Sequence, residues 1–146
     1  MKMPTRSIAR ILLAALIAAP LSAWAQAENY RARLSPMPTT PQTVDSITGE
    51  GEVFLTLEGN TLTINGTFEG MSTVATVAHL HNGPPAQPGP AVHQLVVSAA
   101  TGGEISGEVE LTDEQVEALR ANSLYVQIHS EGNPPGELRG WIFPRA

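Results

Sequence analysis

The chain of 146 residues contains no cysteine, and its lone lysine is Lys2. These absences exclude disulfides, thiolate zinc sites and thiol nucleophiles, and they leave no Schiff-base nucleophile in the body of the chain. Positive charge is also scarce, because 8 Lys and Arg stand against 14 Asp and Glu, and this balance argues against a nucleic-acid-binding surface. No G-x-S-x-G motif, P-loop or marked pair of carboxylates is present. Any enzymatic chemistry would therefore depend on a metal, and a non-enzymatic role is favoured.

The first 25 residues have the order of a secretory signal peptide. Positive residues open the segment, an apolar run follows at positions 11–19, and small residues lead up to Ala25. The run is too short to cross a bilayer core of about 30 Å, which argues against an uncleaved membrane anchor. We therefore predict a signal peptide over residues 1–25, cleaved after Ala25 or Ala27. The product is expected to be periplasmic or secreted and not associated with a membrane.

Removal of that segment changes the charge of what remains. Residues 26–146 contain five arginines, no lysine and all 14 acidic residues, which gives a formal charge of −9. Such a domain repels nucleic acid and anionic lipid and attracts cations. We expect residues 26–146 to form one domain, which must be stabilised by its core because it has no disulfides.

Short runs with alternating apolar residues recur along this domain, separated by segments rich in Gly and Pro. Period 2 is typical of half-buried strands, and Gly59-Asn60 between two such runs predicts a hairpin. Thr112 and Gln115 form a capping box that opens a short helix. The predicted strands cover residues 30–34, 52–58, 61–68, 74–81, 92–97, 105–111, 124–129 and 137–143. This pattern predicts an all-β domain, an antiparallel Greek-key-like β-sandwich or barrel with one short helix.

The domain has four histidines, His79, His81, His93 and His129, each near the end of a predicted strand. His79 and His81 are two residues apart on one strand, so both imidazoles lie on the same face, roughly 7 Å apart. Nitrogen donors without thiolate suit Cu(II), Zn(II) or Ni(II), and Cu(II) is bound most tightly. We therefore predict a four-histidine metal site that holds copper in preference to zinc. The alternative is that these are unrelated surface or hydrogen-bonding histidines.

Arg139 lies in a Gly-Glu-Leu-Arg-Gly segment on the last predicted strand. It could bind an anion or orient a ligand beside the histidines, although a salt bridge to Glu137 or Glu131 is the simpler interpretation. These two acids could orient an imidazole as outer-sphere partners, but they are more typical of solvated loop residues. Trp141 is expected to contribute to packing.

The order of several motifs resembles the chordin-type (CHRD) domain. The motifs are H-L-H-N-G at 79–83, L-Y-V-Q-I-H at 124–129 and N-P-P-G-E-L-R-G at 133–140, and the resemblance covers about residues 28–143. It implies an extracytoplasmic all-β domain, which in animals belongs to an antagonist of secreted growth factors and in bacteria to small exported proteins. The family commonly has an aliphatic residue where this chain has His93, a difference that would add a fourth imidazole.

A weaker likeness is to copper/zinc superoxide dismutases, β-sandwiches that also have an H-x-H motif and later histidines. This likeness implies that the four histidines hold copper and that Arg139 guides an anion, but the cysteine pair and zinc-loop ligands of those enzymes are missing. The first hypothesis is therefore a copper-binding protein for storage, delivery or protection. The second is a non-metal interaction or adhesion module with a periplasmic protein partner. The third is a copper-dependent oxidoreductase. The oligomeric state stays open.

Overall fold

Eight strands and one short helix make up residues 26–146, the part of the chain that the computed structural model describes. The predicted signal peptide at residues 1–25 lies outside the described residues. The elements are β1 (Glu28–Pro36), β2 (Glu50–Glu58), β3 (Thr61–Glu69), β4 (Ala75–Asn82), β5 (Ala91–Val97), β6 (Gly103–Glu110), α1 (Asp113–Arg120), β7 (Leu124–Ser130) and β8 (Leu138–Pro144).

The strands pair in the order β1-β2-β3-β6-β5-β4-β7-β8, and β8 pairs with β1 to close a barrel. Every neighbouring pair is antiparallel. The chain crosses the barrel twice, from β3 to β4 and, through α1, from β6 to β7. The predicted fold class, an antiparallel all-β barrel or sandwich with one short helix, is confirmed.

Alternate residues of the strands point into the barrel and form its core, as period 2 requires. The Gly59-Asn60 turn joins β2 to β3 as predicted, and Gly59 has a φ of 62°, which a side chain would disfavour. The capping box at the start of α1 is also present, since the Thr112 side chain accepts from the backbone amide of Gln115. Val116 and Leu119 of this helix are buried.

Strand β7 is buried on both faces, whereas most strands of the barrel have one face exposed to water. Leu124, Val126 and Ile128 point into the core and are fully buried, but Tyr125 and Gln127, on the outer face, are also at most 2 % exposed. Loops 83–90 and 131–137 contact this outer face. The polar layer beneath these two loops contains the candidate site.

Leu80 of β4 is fully buried and lies between His79 and His81 in the sequence. Leu80→Ala should lower the free energy of unfolding by about 2–5 kcal/mol, because it removes core contacts and leaves a cavity. Thr63→Ala, an exposed change on β3, is the matched control and should have little effect. Urea denaturation measures both, and equal stability of the two variants would contradict the assigned core.

Candidate metal centre on the outer face of the barrel

Three of the four predicted histidines lie together on the outer face of β4 and β7. Nδ1 of His79 is 3.4 Å from Nε2 of His129, and one nitrogen from each of His79, His81 and His129 lies within 4.8 Å of the others. The register explains the cluster, since β4 and β7 are neighbours and Val77 is opposite His129. Three imidazole nitrogens at this spacing could hold one metal ion at about 2 Å from each nitrogen.

Backbone carbonyls fix the tautomers of two of these imidazoles. Nδ1 of His81 is 2.9 Å from the Gly89 carbonyl oxygen, and Nδ1 of His129 is 2.7 Å from that of Pro134. A carbonyl only accepts, so each Nδ1 carries the proton and each Nε2 presents a lone pair. Nε2 of His81 is buried and has no hydrogen-bond partner among the described residues. A water or an ion is the usual partner of a buried nitrogen that no protein atom satisfies.

The histidines of β4 are held in the form that binds metals. Burial lowers the pKa of His79, and the charge of His129 lowers it further. Burial also lowers the pKa of His81, the hydrogen bond to the Gly89 carbonyl opposes this effect, and the charges of His129, His79 and Arg139 lower the pKa further. Both effects favour neutral imidazole, which is the ligand form.

The loop at residues 83–90 covers His81, and two aromatic side chains hold it in place through hydrogen bonds. The Tyr125 hydroxyl accepts from the Gly89 amide at 2.9 Å and donates to the Gly89 carbonyl at 3.0 Å. Nε1 of Trp141 donates to the Gly83 carbonyl at 2.9 Å. The Tyr125 ring also stacks on His81, with ring centroids 4.7 Å apart. These contacts set the position of the carbonyl that orients His81.

Arg139 lies beside this layer and is 8 % exposed. Its Nε donates to the Gln127 side-chain oxygen at 2.9 Å, and its guanidinium carbon is 5.2 Å from the centre of the Tyr125 ring and 5.9 Å from that of Trp141. The salt bridge predicted from Arg139 to Glu137 or Glu131 does not form within residues 26–146. The physical reason is the alternation along β8, which puts Arg139 on the outer face under the loops.

Glu137 is wholly buried, so its interpretation as a solvated loop acid is corrected. Its Oε1 accepts from the backbone amides of Ser72, at 2.7 Å, and Thr48, at 3.1 Å. Burial raises the pKa of Glu137, but hydrogen bonds from Ser130, Ser72 and Thr48 together outweigh burial and hold that pKa below its ordinary value. The carboxylate therefore ties the β7–β8 loop, which carries Pro134, to the two loops before β2 and β4.

His93 is separated from the other three histidines, so the structure brings together three of the four residues of the predicted site. His93 is opposite Leu80 in the register of β4 and β5, and it therefore points to the face opposite His79 and His81. Its Nε2 lies 2.8 Å from the side-chain oxygen of Gln115, at the start of α1.

Tyr125 and Gln127 also belong to this layer, although they are not among the residues predicted for the site from the sequence. A signal for them exists, because period 2 in the L-Y-V-Q-I-H segment puts both on the face of His129. Nothing in the sequence marks that face as buried, however, because the loops that cover it come from elsewhere in the chain.

The CHRD domain family model matches residues 30–142, nearly the whole described part of the chain. No curated protein and no solved structure matches the chain significantly. Among residues 26–146, no helix has the length and apolar character that crossing a membrane requires.

The low pKa of Glu137 predicts a loss of stability in acid. Its contribution is present above the ordinary value of 4.5 and is lost as the pH falls through the lower folded-state value. Glu137→Gln should lower the free energy of unfolding at pH 7 by about 1.5–3 kcal/mol, the usual contribution of hydrogen bonds to a charged group. It should also flatten the dependence on pH below 4.5.

Exposed Glu131, in the same loop, supplies the control as Glu131→Gln. Urea denaturation between pH 3 and pH 7 measures all three proteins. A Glu137→Gln curve parallel to the wild-type curve would contradict the assignment of acid sensitivity to this carboxylate.

Proposed function

Because the chain belongs to the CHRD-domain family, whose domains are generally extracellular, we propose that it is an exported protein that binds one copper ion through His79, His81 and His129. The proposal includes cleavage of a signal peptide and a periplasmic or secreted location. Copper storage, delivery or protection is the role that such a site supports.

The observation that carries the proposal is the buried Nε2 of His81, which has no hydrogen-bond partner within residues 26–146. Leaving a buried polar atom without a partner costs about 1–3 kcal/mol, so a ligand bound at this nitrogen would recover that free energy. One nitrogen of His81 belongs to the cluster with nitrogens of His79 and His129, and Nδ1 of the ring is held by the Gly89 carbonyl. Outer carbonyls of this kind are the usual partners of metal-bound imidazoles.

The donors favour copper over the other common metals. All three donors are imidazole nitrogens, and no carboxylate belongs to the group within residues 26–146, which disfavours calcium and magnesium. Among divalent metals with nitrogen donors, affinity peaks at copper, and zinc is the second candidate. The formal charge of −9 on residues 26–146 raises the local concentration of any cation.

Alanine substitutions of the histidines test the site, and the chain offers a matched control. His79→Ala, His81→Ala or His129→Ala should each weaken Cu(II) binding about tenfold or more, because each removes a donor nitrogen. His93→Ala should leave binding unchanged, because His93 lies on the other face of the sheet. Calorimetric titration measures affinity and stoichiometry, and electron paramagnetic resonance detects nitrogen hyperfine coupling.

A wild-type protein without a stoichiometric site for either Cu(II) or Cu(I) would overturn the proposal and favour the non-metal interaction module. Melting temperature gives a second readout, since a ligand that binds only the folded state stabilises it by about 2.7 kcal/mol at 100 times its Kd. Zinc and nickel in the same assay rank the metals.

Tyr125→Phe tests the outer layer. It keeps the ring that stacks on His81 but removes the hydroxyl that fixes the Gly89 peptide. We expect Cu(II) affinity to fall about tenfold, as when outer-sphere partners of metal ligands are replaced. Tyr30→Phe, which removes a hydroxyl bonded to Glu28, is the control and should leave affinity unchanged. Equal Cu(II) affinity of the two variants, measured by chelator competition, would show that the Tyr125 hydroxyl does not support the site.

A further inference from the structure

Arg139 carries a buried positive charge that no carboxylate neutralises within the described part of the chain. Its partners are the neutral Gln127 amide and two aromatic rings. Arg31, Arg33 and Arg120, by contrast, form ion pairs with glutamates and have exposed side chains. A buried guanidinium without an anion is costly, so its retention next to the histidine cluster points to a role there.

This charge is close enough to act on the histidines. The guanidinium and His81 both contact the Tyr125 ring, with 5.2 Å from guanidinium carbon to ring centre and 4.7 Å from that ring centre to the imidazole centre. Its charge also contributes, after burial and the neighbouring histidines, to the lowered pKa of His81. The layer is covered by loops, so water screens the interaction little.

Repulsion between Arg139 and a bound metal grows in proportion to the charge of the metal. This repulsion therefore costs a cupric ion twice as much binding free energy as it costs a cuprous ion. The three imidazoles supply no negative charge to offset the difference. We propose that Arg139 makes the three-histidine centre selective for cuprous copper, a deepening that rests on the proposed function. The cargo is then Cu(I) in preference to Cu(II) or Zn(II).

The associated redox step is simple. A bound cupric ion takes one electron from a small one-electron reductant such as ascorbate and becomes cuprous. The ascorbate monoanion is oxidised to its radical anion and releases one proton to the solvent, and no bond to the protein forms or breaks.

The test compares affinities for the two oxidation states in wild type and Arg139→Gln. Competition with a cuprous chelator gives the Kd for Cu(I), and competition with a cupric chelator gives the Kd for Cu(II). Loss of the charge should strengthen Cu(II) binding relative to Cu(I) about tenfold, which lowers the one-electron potential by about 59 mV. A purely structural role for Arg139 would weaken both affinities together and leave their ratio unchanged.

Three further variants complete the design. Arg139→Lys keeps the charge and should keep the ratio, and Arg31→Gln removes an exposed charge on β1 and should also keep it. Gln127→Glu puts a carboxylate against the guanidinium and should shift the ratio as Arg139→Gln does. If near-ultraviolet circular dichroism shows that Arg139→Gln does not fold, Gln127→Glu provides the test of the affinity ratio in its place.

The outcomes separate the two proposals. Wild-type protein that binds neither copper ion overturns the proposed function, and the inference with it. Wild-type protein that binds copper, with a Cu(I) to Cu(II) affinity ratio that stays within twofold in folded Arg139→Gln or Gln127→Glu, overturns the inference alone. A shift in both variants, absent from Arg139→Lys and Arg31→Gln, supports it.

Discussion

Burial of β7 on both of its faces is the constraint on which the rest of the site depends. The inner face packs Leu124, Val126 and Ile128 into the barrel, as in any antiparallel sheet with one apolar face. The outer face carries polar groups that would normally contact water. Covering them with loops costs free energy unless each polar atom finds a partner. The hydrogen bonds of Tyr125 and Gln127 to the two loops supply such partners, whereas Nε2 of His81 has none in the part of the chain that the structure describes.

The composition of the covering loops suits this task. Proline has no amide hydrogen, so a proline-rich loop adds carbonyl acceptors over the polar layer without adding donors that would also need partners. Glycine lets the backbone come close: a Cβ at Gly89 would lie 1.7 Å from the Asn82 carbonyl oxygen, and one at Gly136 would lie 1.8 Å from the Gln127 amide nitrogen. The high Gly and Pro content seen in the sequence therefore serves the outer layer as well as the turns.

Local patterns predicted the strands well, because alternation and turn residues are encoded over a few positions. Local patterns did not predict side-chain positions that depend on pairing between segments distant in the chain. His93 and His81 both lie at strand ends, but only the register of β4 with β5, which includes a bulge between Leu80 and His81, shows that they point to opposite faces. Glu137 is also a loop acid by composition, and its burial follows from the approach of the Thr48 and Ser72 amides, distant in sequence.

Two sets of charges act on a cation at this surface, and distance separates their effects. The acidic residues of the exterior attract any cation, but salt screens them beyond about 8–10 Å, so they do not distinguish one ion from another at the site. Discrimination has to come from groups within that distance, and these include the three imidazoles and the guanidinium of Arg139. An imidazole supplies no negative charge, whereas the guanidinium is positive. In the proposed site, attraction to the protein and selection among ions therefore depend on charges of opposite sign.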